Sequence, residues 1–345
     1  MQGRTTVYNN IVTPEDLKAI NKKNIELSED FLDYLSSVDR SKTTIHAYKN
    51  DLEIFFTWNL KENDNIYFVE LTKRQIAKFQ NYALNTLNWS PNRLRRVKST
   101  LSSLSNYIEN ILDDEIKDYR PIVRKIENPP KEPVREKTIF TPEQLQQLID
   151  ELVEKEKFDQ ACMLSMAMHN GRRKAELPRM KTSYFTENNL IYGSLYRTPE
   201  KVVTKGRGSN GKMLTIYTLK NGFQPYLDLW MKYREEHGIT SQWLIPKHEG
   251  DEWLDEQLPM TTMDSWATNY SKMLGVPFYW HSLRHFFCTE CSKSGLPDDV
   301  IRQLVGWTSQ DMVILYKDTT IEDNLCEYFD ENGIKETEQK SLSDM

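Results

Sequence analysis

The order of apolar and polar residues predicts helices through the first third of the chain. Apolar side chains recur every three or four positions after Ser41 and again after Ser90, which places them along one face of a helix in each segment. Capping residues at Thr13, Ser28 and Thr72 indicate three further helix starts. Together these segments predict a compact helical domain. The two apolar stripes are Ile45, Tyr48, Leu52, Phe55 and Phe56, and then Leu94, Val97, Leu101, Leu104 and Ile108.

A proline-rich stretch separates this helical half from the rest of the chain. Residues 128–137 contain three prolines and no apolar periodicity, which indicates an extended linker. Thr141 then opens a helix, residues 190–218 change to the short alternating runs of a small antiparallel sheet, and helices follow to the C terminus. The pattern predicts a mainly α protein with a small antiparallel β-sheet. Its expected parts are an N-terminal extension at 1–23, a helical domain at 24–127, the linker at 128–137, a mixed α/β domain at 138–321 and a tail at 322–345.

Length and charge narrow the class of protein. A chain of 345 residues is long enough for two domains that each bury a core. The formal net charge of −6 argues against a nucleic-acid partner only until its distribution is considered. Residues 322–345 hold eight acidic and two basic residues, so the remainder is neutral overall and has room for a basic face. Since no apolar run approaches the ~20 residues of a membrane span and no secretory signal opens the chain, we expect a cytoplasmic protein.

The four cysteines are too few and too irregularly spaced for a disulfide framework, so reduced thiols are expected. Cys288 and Cys291 form a Cys-x-x-Cys beside His285. A structural zinc site needs a second pair of ligands, and the sequence offers no matching pair. We therefore expect no metal.

Three separated clusters have residue types suited to chemistry. The first runs from Gly171 to Leu177 and contains an arginine pair, which on its own is more often a solvated helix end. The second runs from His281 to His285, where the spacing places His281 and Arg284 on one helix face among aromatic residues. The third is Leu304 to Trp307 followed by Tyr316, although Trp and Tyr are also common core residues.

The joint order and spacing of these clusters resemble the tyrosine recombinase family, which includes phage integrases, Xer proteins and Cre. That family has an arginine in Gly-x-Arg-x-x-Glu-Leu, then a His-x-x-Arg-His box, then Leu-Gly-His or Leu-Gly-Trp with a nucleophilic tyrosine nine residues later. Here Val305 replaces the usual leucine, and Trp307 replaces the commoner histidine. The resemblance implies a helical, SAM-like core-binding domain followed by a mixed α/β recombinase catalytic domain.

The resemblance also implies the chemistry. A tyrosine hydroxyl attacks a DNA phosphodiester to form a 3′-phosphotyrosine, and two guanidinium groups bind the non-bridging oxygens. A histidine takes the tyrosine proton or orients the phosphate, and an indole N–H donates to a phosphate oxygen. The general acid is a lysine on a β-hairpin, for which Lys205 fits best and Lys212, across the turn, is the rival. Because the phosphotyrosine conserves the energy of the broken bond, no cofactor is expected. The expected catalytic residues are Arg173, Lys205, His281, Arg284, Trp307 and Tyr316.

Double-stranded DNA carrying a recombination site is the partner that the resemblance implies. The enzyme is expected to assemble on it as a homo-oligomer, with a dimer on each site and a tetrameric synapse, and an accessory directionality factor is a further candidate partner. Two basic clusters on predicted helices are suited to backbone contact, although each also fits an ordinary solvated face. The expected DNA contacts are Lys42, Thr43, His46 and Lys49, and then Arg93, Arg95, Arg96 and Lys98.

Other functions use the same features. A type IB topoisomerase-like or telomere-resolving enzyme would carry the same residues without exchanging partners, whereas the complete catalytic set argues against an accessory DNA-binding protein without chemistry.

In the acidic tail, Leu325, Tyr328 and Phe329 lie at helical spacing. Because related recombinases dock a C-terminal helix on a neighbouring subunit, a docking helix is expected there. Tyr328 is also a competing nucleophile, but it lacks the family's spacing.

Overall fold

The computed structural model describes residues 4–130, 138–204, 211–309, 311–317, 329–330 and 333–334. The described residues up to 130 form one compact unit, and those from 138 onward belong to a second. Helices predominate and the strands form small antiparallel sheets, so the predicted fold class is confirmed. Within these ranges, no helix has both the length and the apolar character needed to span a membrane.

The first unit is built from helices. These are α1 (Arg4–Asn9), α2 (Pro14–Ala19), α3 (Lys22–Ser37), α4 (Lys42–Glu62), α5 (Lys73–Asn85) and α6 (Pro91–Ile111). Helix α4 packs against α3 and α6, and the apolar stripes predicted for α4 and α6 supply much of the core. The expected helix start at Ser28 is wrong. Asn21 caps α3 by accepting a hydrogen bond from the Lys23 N–H at 3.0 Å, and Ser28 lies inside the helix, where its hydroxyl donates to the Asn24 carbonyl.

A buried carboxylate joins α4 to α6. Asp51 is 1% exposed, although most of the buried residues of α4 are apolar. It accepts a hydrogen bond from the Thr100 hydroxyl at 3.0 Å and forms an ion pair with Arg96, both of which lie on α6. Because a buried carboxylate is stable only when its oxygens are satisfied, these two partners fix how α4 lies on α6.

The helices of the second unit pack around α8. They are α7 (Pro142–Glu154), α8 (Phe158–Asn170), α9 (Gln224–Glu236), α10 (Met260–Leu274), α11 (Trp280–Lys293), α12 (Asp298–Val305) and α13 (Asp311–Tyr316). Helix α8 contacts α7, α9 and α11, and its buried residues are small or flexible, such as Ala161, Cys162 and Met166. Small residues allow neighbouring helices to approach closely, so the C-terminal end of α8 is held firmly at the centre of the unit.

The strands form separate small sheets. They are β1 (Leu190–Ile191), β2 (Leu195–Arg197), β3 (Val202–Thr204), β4 (Lys212–Leu214), β5 (Tyr217–Leu219), β6 (Pro246–Glu249) and β7 (Glu252–Gln257). The predicted sheet is a three-stranded antiparallel sheet, in the order β1-β2-β5, and a separate β3–β4 hairpin. The β6–β7 hairpin was not expected, because its charged residues show no alternation of apolar and polar positions.

Of the C-terminal tail, where a docking helix was expected, the structure describes only residues 329–330 and 333–334. Phe329–Asp330 and Gly333–Ile334 are two short strands, β8 and β9, that pair in antiparallel orientation. Phe329 is therefore in a strand and not in the helix that its spacing predicted. Leu325 and Tyr328 lie outside the described residues.

Replacing Asp51 tests the link between α4 and α6. We expect Asp51→Ala to lower the free energy of local unfolding of α4 and α6 by about 2 kcal/mol. The change leaves the Thr100 hydroxyl unpaired and removes the partner of Arg96, and the partial exposure of Arg96 limits the size of the effect. Hydrogen exchange of α4 and α6 peptides in the full chain, read by mass spectrometry, measures the change. Lys61→Ala removes an exposed pair with Asp16 and serves as the control. Equal protection in the two variants would contradict the assignment.

Candidate active site

The arginine cluster begins where α8 ends. Gly171 has φ +57°, and a Cβ at this position would lie 2.5 Å from the Phe287 ring, so glycine is required both for conformation and for space. The chain then turns, and Arg173 donates its main-chain N–H and a guanidinium N–H to the carboxylate of Glu176, at 3.3 and 3.1 Å. Glu176 is 1% exposed, whereas the Arg173 side chain is 32% exposed. A buried carboxylate therefore orients an arginine that remains accessible.

Helix α11 supplies the second arginine. Arg284 has no solvent exposure, and it donates to the Gly171 carbonyl at 2.9 Å and to the Val305 carbonyl at 3.4 Å. These bonds connect α11 with the end of α8 and the end of α12. Burial and the neighbouring charge of Arg173 lower the pKa of Arg284 to about 10, so the group stays charged at neutral pH.

Tyr316, the last residue of α13, meets a set of rings from α11 and from the segment after α12. Its hydroxyl is hydrogen-bonded to Nε2 of His281 at 2.9 Å, and its ring stacks on His285 with centroids 4.4 Å apart. The Trp307 ring lies 4.8 Å from that of Tyr316, and the Arg284 guanidinium lies over both rings. The structure thus brings the expected tyrosine, histidine, tryptophan and second arginine together.

The surroundings set the protonation of the Tyr316 and His281 pair. Burial raises the pKa of Tyr316, although Arg284 and Arg173 act in the opposite direction. Partial burial, together with electrostatic interactions with His285, Arg284 and Arg173, lowers the pKa of His281 to about 4. At neutral pH the pair is therefore a neutral phenol beside a neutral imidazole, and the imidazole has one nitrogen free to accept a proton.

In this region, buried N–H groups of two arginines and one tryptophan lack an acceptor among the described residues. They are Nε of Arg172, Nε of Arg284 and Nε1 of Trp307. An unpaired buried donor is unfavourable, and two of the three belong to charged groups. The site therefore has both the charge and the donors to bind an anion.

The β3–β4 hairpin brings one of the two candidate lysines to this region. Lys212, the first residue of β4, donates from Nζ to the Gly306 carbonyl at 3.2 Å, next to Trp307. Across the hairpin, the Thr204 hydroxyl donates to the Lys212 carbonyl at 2.6 Å. Lys205 lies outside the described residues, so the choice between the two lysines stays open.

Comparison with known families identifies the class of protein. The phage integrase family matches residues 138–322, and the N-terminal SAM-like domain of phage integrases matches residues 27–118. This chain belongs to the phage integrase family. It is a site-specific tyrosine recombinase, as its three clusters suggested.

Individual relatives agree with this assignment. The recombinase is 28% identical over 259 residues to the SPbeta prophage-derived recombinase-like protein YomM of Bacillus subtilis (strain 168), covering 74% of this chain and 73% of the relative. It is 24% identical over 298 residues to a tyrosine recombinase of Thermosipho africanus (strain TCF52B), covering 84% and 93%. A lambda integrase tetramer bound to a Holliday junction has the same fold, with a TM-score of 0.61 and 16% identity over 85% of this chain and 76% of that one.

The expected DNA contacts on α4 are accessible in this recombinase. Lys42, Thr43, His46 and Lys49 are all exposed, and their spacing places them along one side of the first two turns. Lys49 lies 3.9 Å from Glu53, a long surface ion pair that leaves its ammonium available. These four residues form the α4 basic face.

The residues expected on α6 make contacts within the protein and are less accessible than those on α4. Lys98 is 3% exposed, and its ammonium donates to the Gln80 side chain and to the carbonyls of Ile126 and Glu127. Since these three acceptors use all three of its N–H groups, Lys98 is a structural residue and its assignment as a DNA contact is wrong. Arg95 donates to the Pro129 carbonyl, Arg96 pairs with Asp51, and Arg93 lies over the Trp89 ring.

Two residues of the site had no role assigned from the sequence. His285 belongs to the His-x-x-Arg-His box, and its stacking on Tyr316 could have been anticipated from that signal. Arg172 precedes the expected Arg173, and the arginine pair gives no indication of which member is buried. The structure shows Arg172 to be 1% exposed, with its guanidinium directed at the main chain of Leu304 and Val305.

Proposed function

We propose that this recombinase cleaves and rejoins double-stranded DNA through a covalent bond between Tyr316 and a 3′ phosphate. The observation that carries the proposal is the 2.9 Å hydrogen bond between the Tyr316 hydroxyl and Nε2 of His281, beside the buried guanidinium of Arg284. A phenol with a raised pKa needs a base, and an imidazole with a pKa of about 4 is neutral and able to act as one.

In the cleavage step, the Tyr316 oxygen attacks phosphorus and its proton passes to His281. Charge develops on the non-bridging oxygens, where Arg173 and Arg284 donate N–H groups and the unpaired indole N–H of Trp307 provides another. The bond from phosphorus to the 5′ oxygen breaks, and the leaving oxygen takes a proton. Reversal of these steps with another 5′ hydroxyl rejoins the strands without an external energy source.

A lysine on the β3–β4 hairpin is the proposed source of the proton for the 5′ oxygen. Lys205 stays the first candidate because of its place in the family pattern. Lys212 is the alternative, and its contact with the Gly306 carbonyl supports it as a residue close to Trp307.

The proposed partners follow from the same fold. A lambda integrase tetramer bound to a Holliday junction shares this fold, and we propose the corresponding assembly here, with a dimer on each recombination site and a tetramer in the synapse. The α4 basic face would contact the DNA backbone. An accessory directionality factor that sets which sites recombine would be a further partner.

Replacing the nucleophile gives the most direct test. Tyr316→Phe should abolish the denaturation-resistant adduct with nicked, site-bearing DNA and leave DNA binding within about threefold, because it removes only the attacking oxygen. Electrophoresis under denaturing conditions detects the adduct, with Tyr226→Phe, a tyrosine outside the site, as the control. An adduct in the Tyr316→Phe protein, or one mapped to Tyr328 in the unmodified protein, would refute the assignment.

A modified substrate distinguishes the two lysines. If Lys205 is the general acid, Lys205→Ala should slow cleavage by about 100-fold, and a 5′-bridging sulfur should restore the rate because a thiolate leaves without a proton. Arg173→Ala should not be rescued, since it affects the phosphate and not the leaving group. Rescue of Lys212→Ala in place of Lys205→Ala would assign the acid to Lys212.

The salt dependence of binding tests the α4 basic face. The double variant Lys42→Ala, Lys49→Ala should weaken DNA binding and reduce the slope of log affinity against log salt by about 2, because each phosphate contact releases roughly one counterion. Lys98→Met should leave the slope unchanged. Fluorescence anisotropy over a salt series measures both, and a slope altered by Lys98→Met but not by the double variant would reverse the assignment.

A further inference from the structure

The main-chain carbonyls of residues 304–307 each accept a hydrogen bond from a cationic side chain. We call this segment the carbonyl run 304–307. Its donors come from four separate places in the second unit, and three of them lie outside α12. Arg172 donates to the Leu304 carbonyl and, at 3.5 Å, to the Val305 carbonyl. Arg284 donates to Val305 at 3.4 Å, Lys212 to Gly306 at 3.2 Å, and Arg302 to Trp307 at 3.4 Å.

The carbonyls of this run need such donors because they lie at the C-terminal end of α12. The last carbonyls of a helix have no intrahelical partner, and the helix dipole makes this end negative. Gly306 then turns the chain with φ +70°, and a Cβ there would lie 2.5 Å from Leu214. The turn is therefore tightly enclosed, and Trp307 follows it directly.

Arg172 is the donor whose presence is hardest to explain by stability alone. It is 1% exposed, and the carboxylate of Glu176 is already bound to Arg173. Burial lowers the pKa of Arg172 to about 10, although Glu176 acts in the opposite direction. An apolar side chain of similar volume would avoid this unfavourable burial, but it would leave the Leu304 carbonyl without this donor, so Arg172 serves to hold the end of α12.

We infer that Arg172 is a positioning residue for Trp307: by holding the carbonyls of Leu304 and Val305, it fixes the Gly306 turn and with it the indole N–H. One residue, Gly306, separates Val305 from Trp307, so a displacement of the held carbonyls moves the indole. This inference rests on the proposed function, in which Trp307 donates to the phosphate, although Arg172 itself contacts main chain and not DNA. Misplacement of a catalytic donor by about 1 Å lowers a rate by up to ~100-fold.

A double-mutant cycle tests this role. Arg172→Met should reduce the rate of adduct formation on nicked DNA at least about tenfold, with half-site binding within about threefold of the unmodified protein. In a Trp307→Phe background the same change should have less than about a threefold effect, because no indole donor is left to misplace. Full additivity of the two changes would overturn the inference. Arg234→Met is the matched control, since Arg234 is also buried and binds the carbonyls of Trp243 and Leu244, away from the site.

A second measurement does not depend on activity. In the full chain labelled with ¹⁵N at tryptophan, Arg172→Met should shift or broaden the indole resonance of Trp307, identified by its loss in Trp307→Phe. Arg234→Met should instead affect Trp230 or Trp243, which its guanidinium contacts. An unchanged Trp307 resonance in folded Arg172→Met would contradict the positioning role, even if the unmodified protein formed no adduct and the proposed function failed.

A second variant serves as a control for loss of folding. Arg172→Lys keeps the charge and one donor but lacks the planar fork that reaches two carbonyls, so it should give an intermediate shift and an intermediate rate. If Arg172→Met does not fold by circular dichroism, the same comparisons are made with Arg172→Lys. Loss of folding in both variants would assign Arg172 to stability alone and overturn the inference.

Discussion

Burial of positive charge is the constraint on which the active site depends. Arg172 and Arg284 are almost completely inaccessible to solvent, and both donate to the carbonyl of Val305. The buried carboxylate of Glu176 binds Arg173, so the two buried guanidinium groups donate only to main-chain carbonyls, and each keeps an Nε–H without an acceptor among the described residues. A carbonyl carries only a partial negative charge, and the region therefore keeps a positive potential. A phosphate diester complements that potential, and the same bonds hold α8, α11 and α12 in fixed relation.

The positive surroundings also decide how the reacting pair is protonated. Arg284 and Arg173 favour an anionic Tyr316 and a neutral His281, whereas burial favours the neutral form of both. For His281 these effects add, and its pKa falls to about 4. For Tyr316 they oppose each other, and burial prevails, so the phenol keeps its proton until a base removes it. The same positive charges thus help to keep His281 neutral, and they offset only part of the effect of burial on the pKa of Tyr316.

The sequence predicts structure well where a pattern depends only on the periodicity of a single helix or on a local motif. The apolar stripes identified α4 and α6, and the spaced clusters named His281, Arg284 and Trp307, which lie around Tyr316 in the structure. Roles that depend on distant partners could not be predicted. Lys98 resembles its basic neighbours in sequence, yet its ammonium is bound by the carbonyls of residues 126 and 127. Arg172 and Arg173 are adjacent arginines, and only the turn after Gly171 determines the direction in which each side chain lies. The β6–β7 hairpin was missed because its exposed faces carry no apolar pattern.

Tyr316, the proposed nucleophile, lies on an element that has little stability of its own. Helix α13 has six residues, far fewer than an isolated helix needs in water. Its buried residues are Val313 and Tyr316, while Ile314 is 69% exposed, so α13 is held on α11 and α12 through one narrow face. The contacts on that face include His281, His285 and Trp307, which are also the residues around the reacting hydroxyl. The contacts that hold α13 in place therefore also bring the Tyr316 hydroxyl to His281, its proposed base.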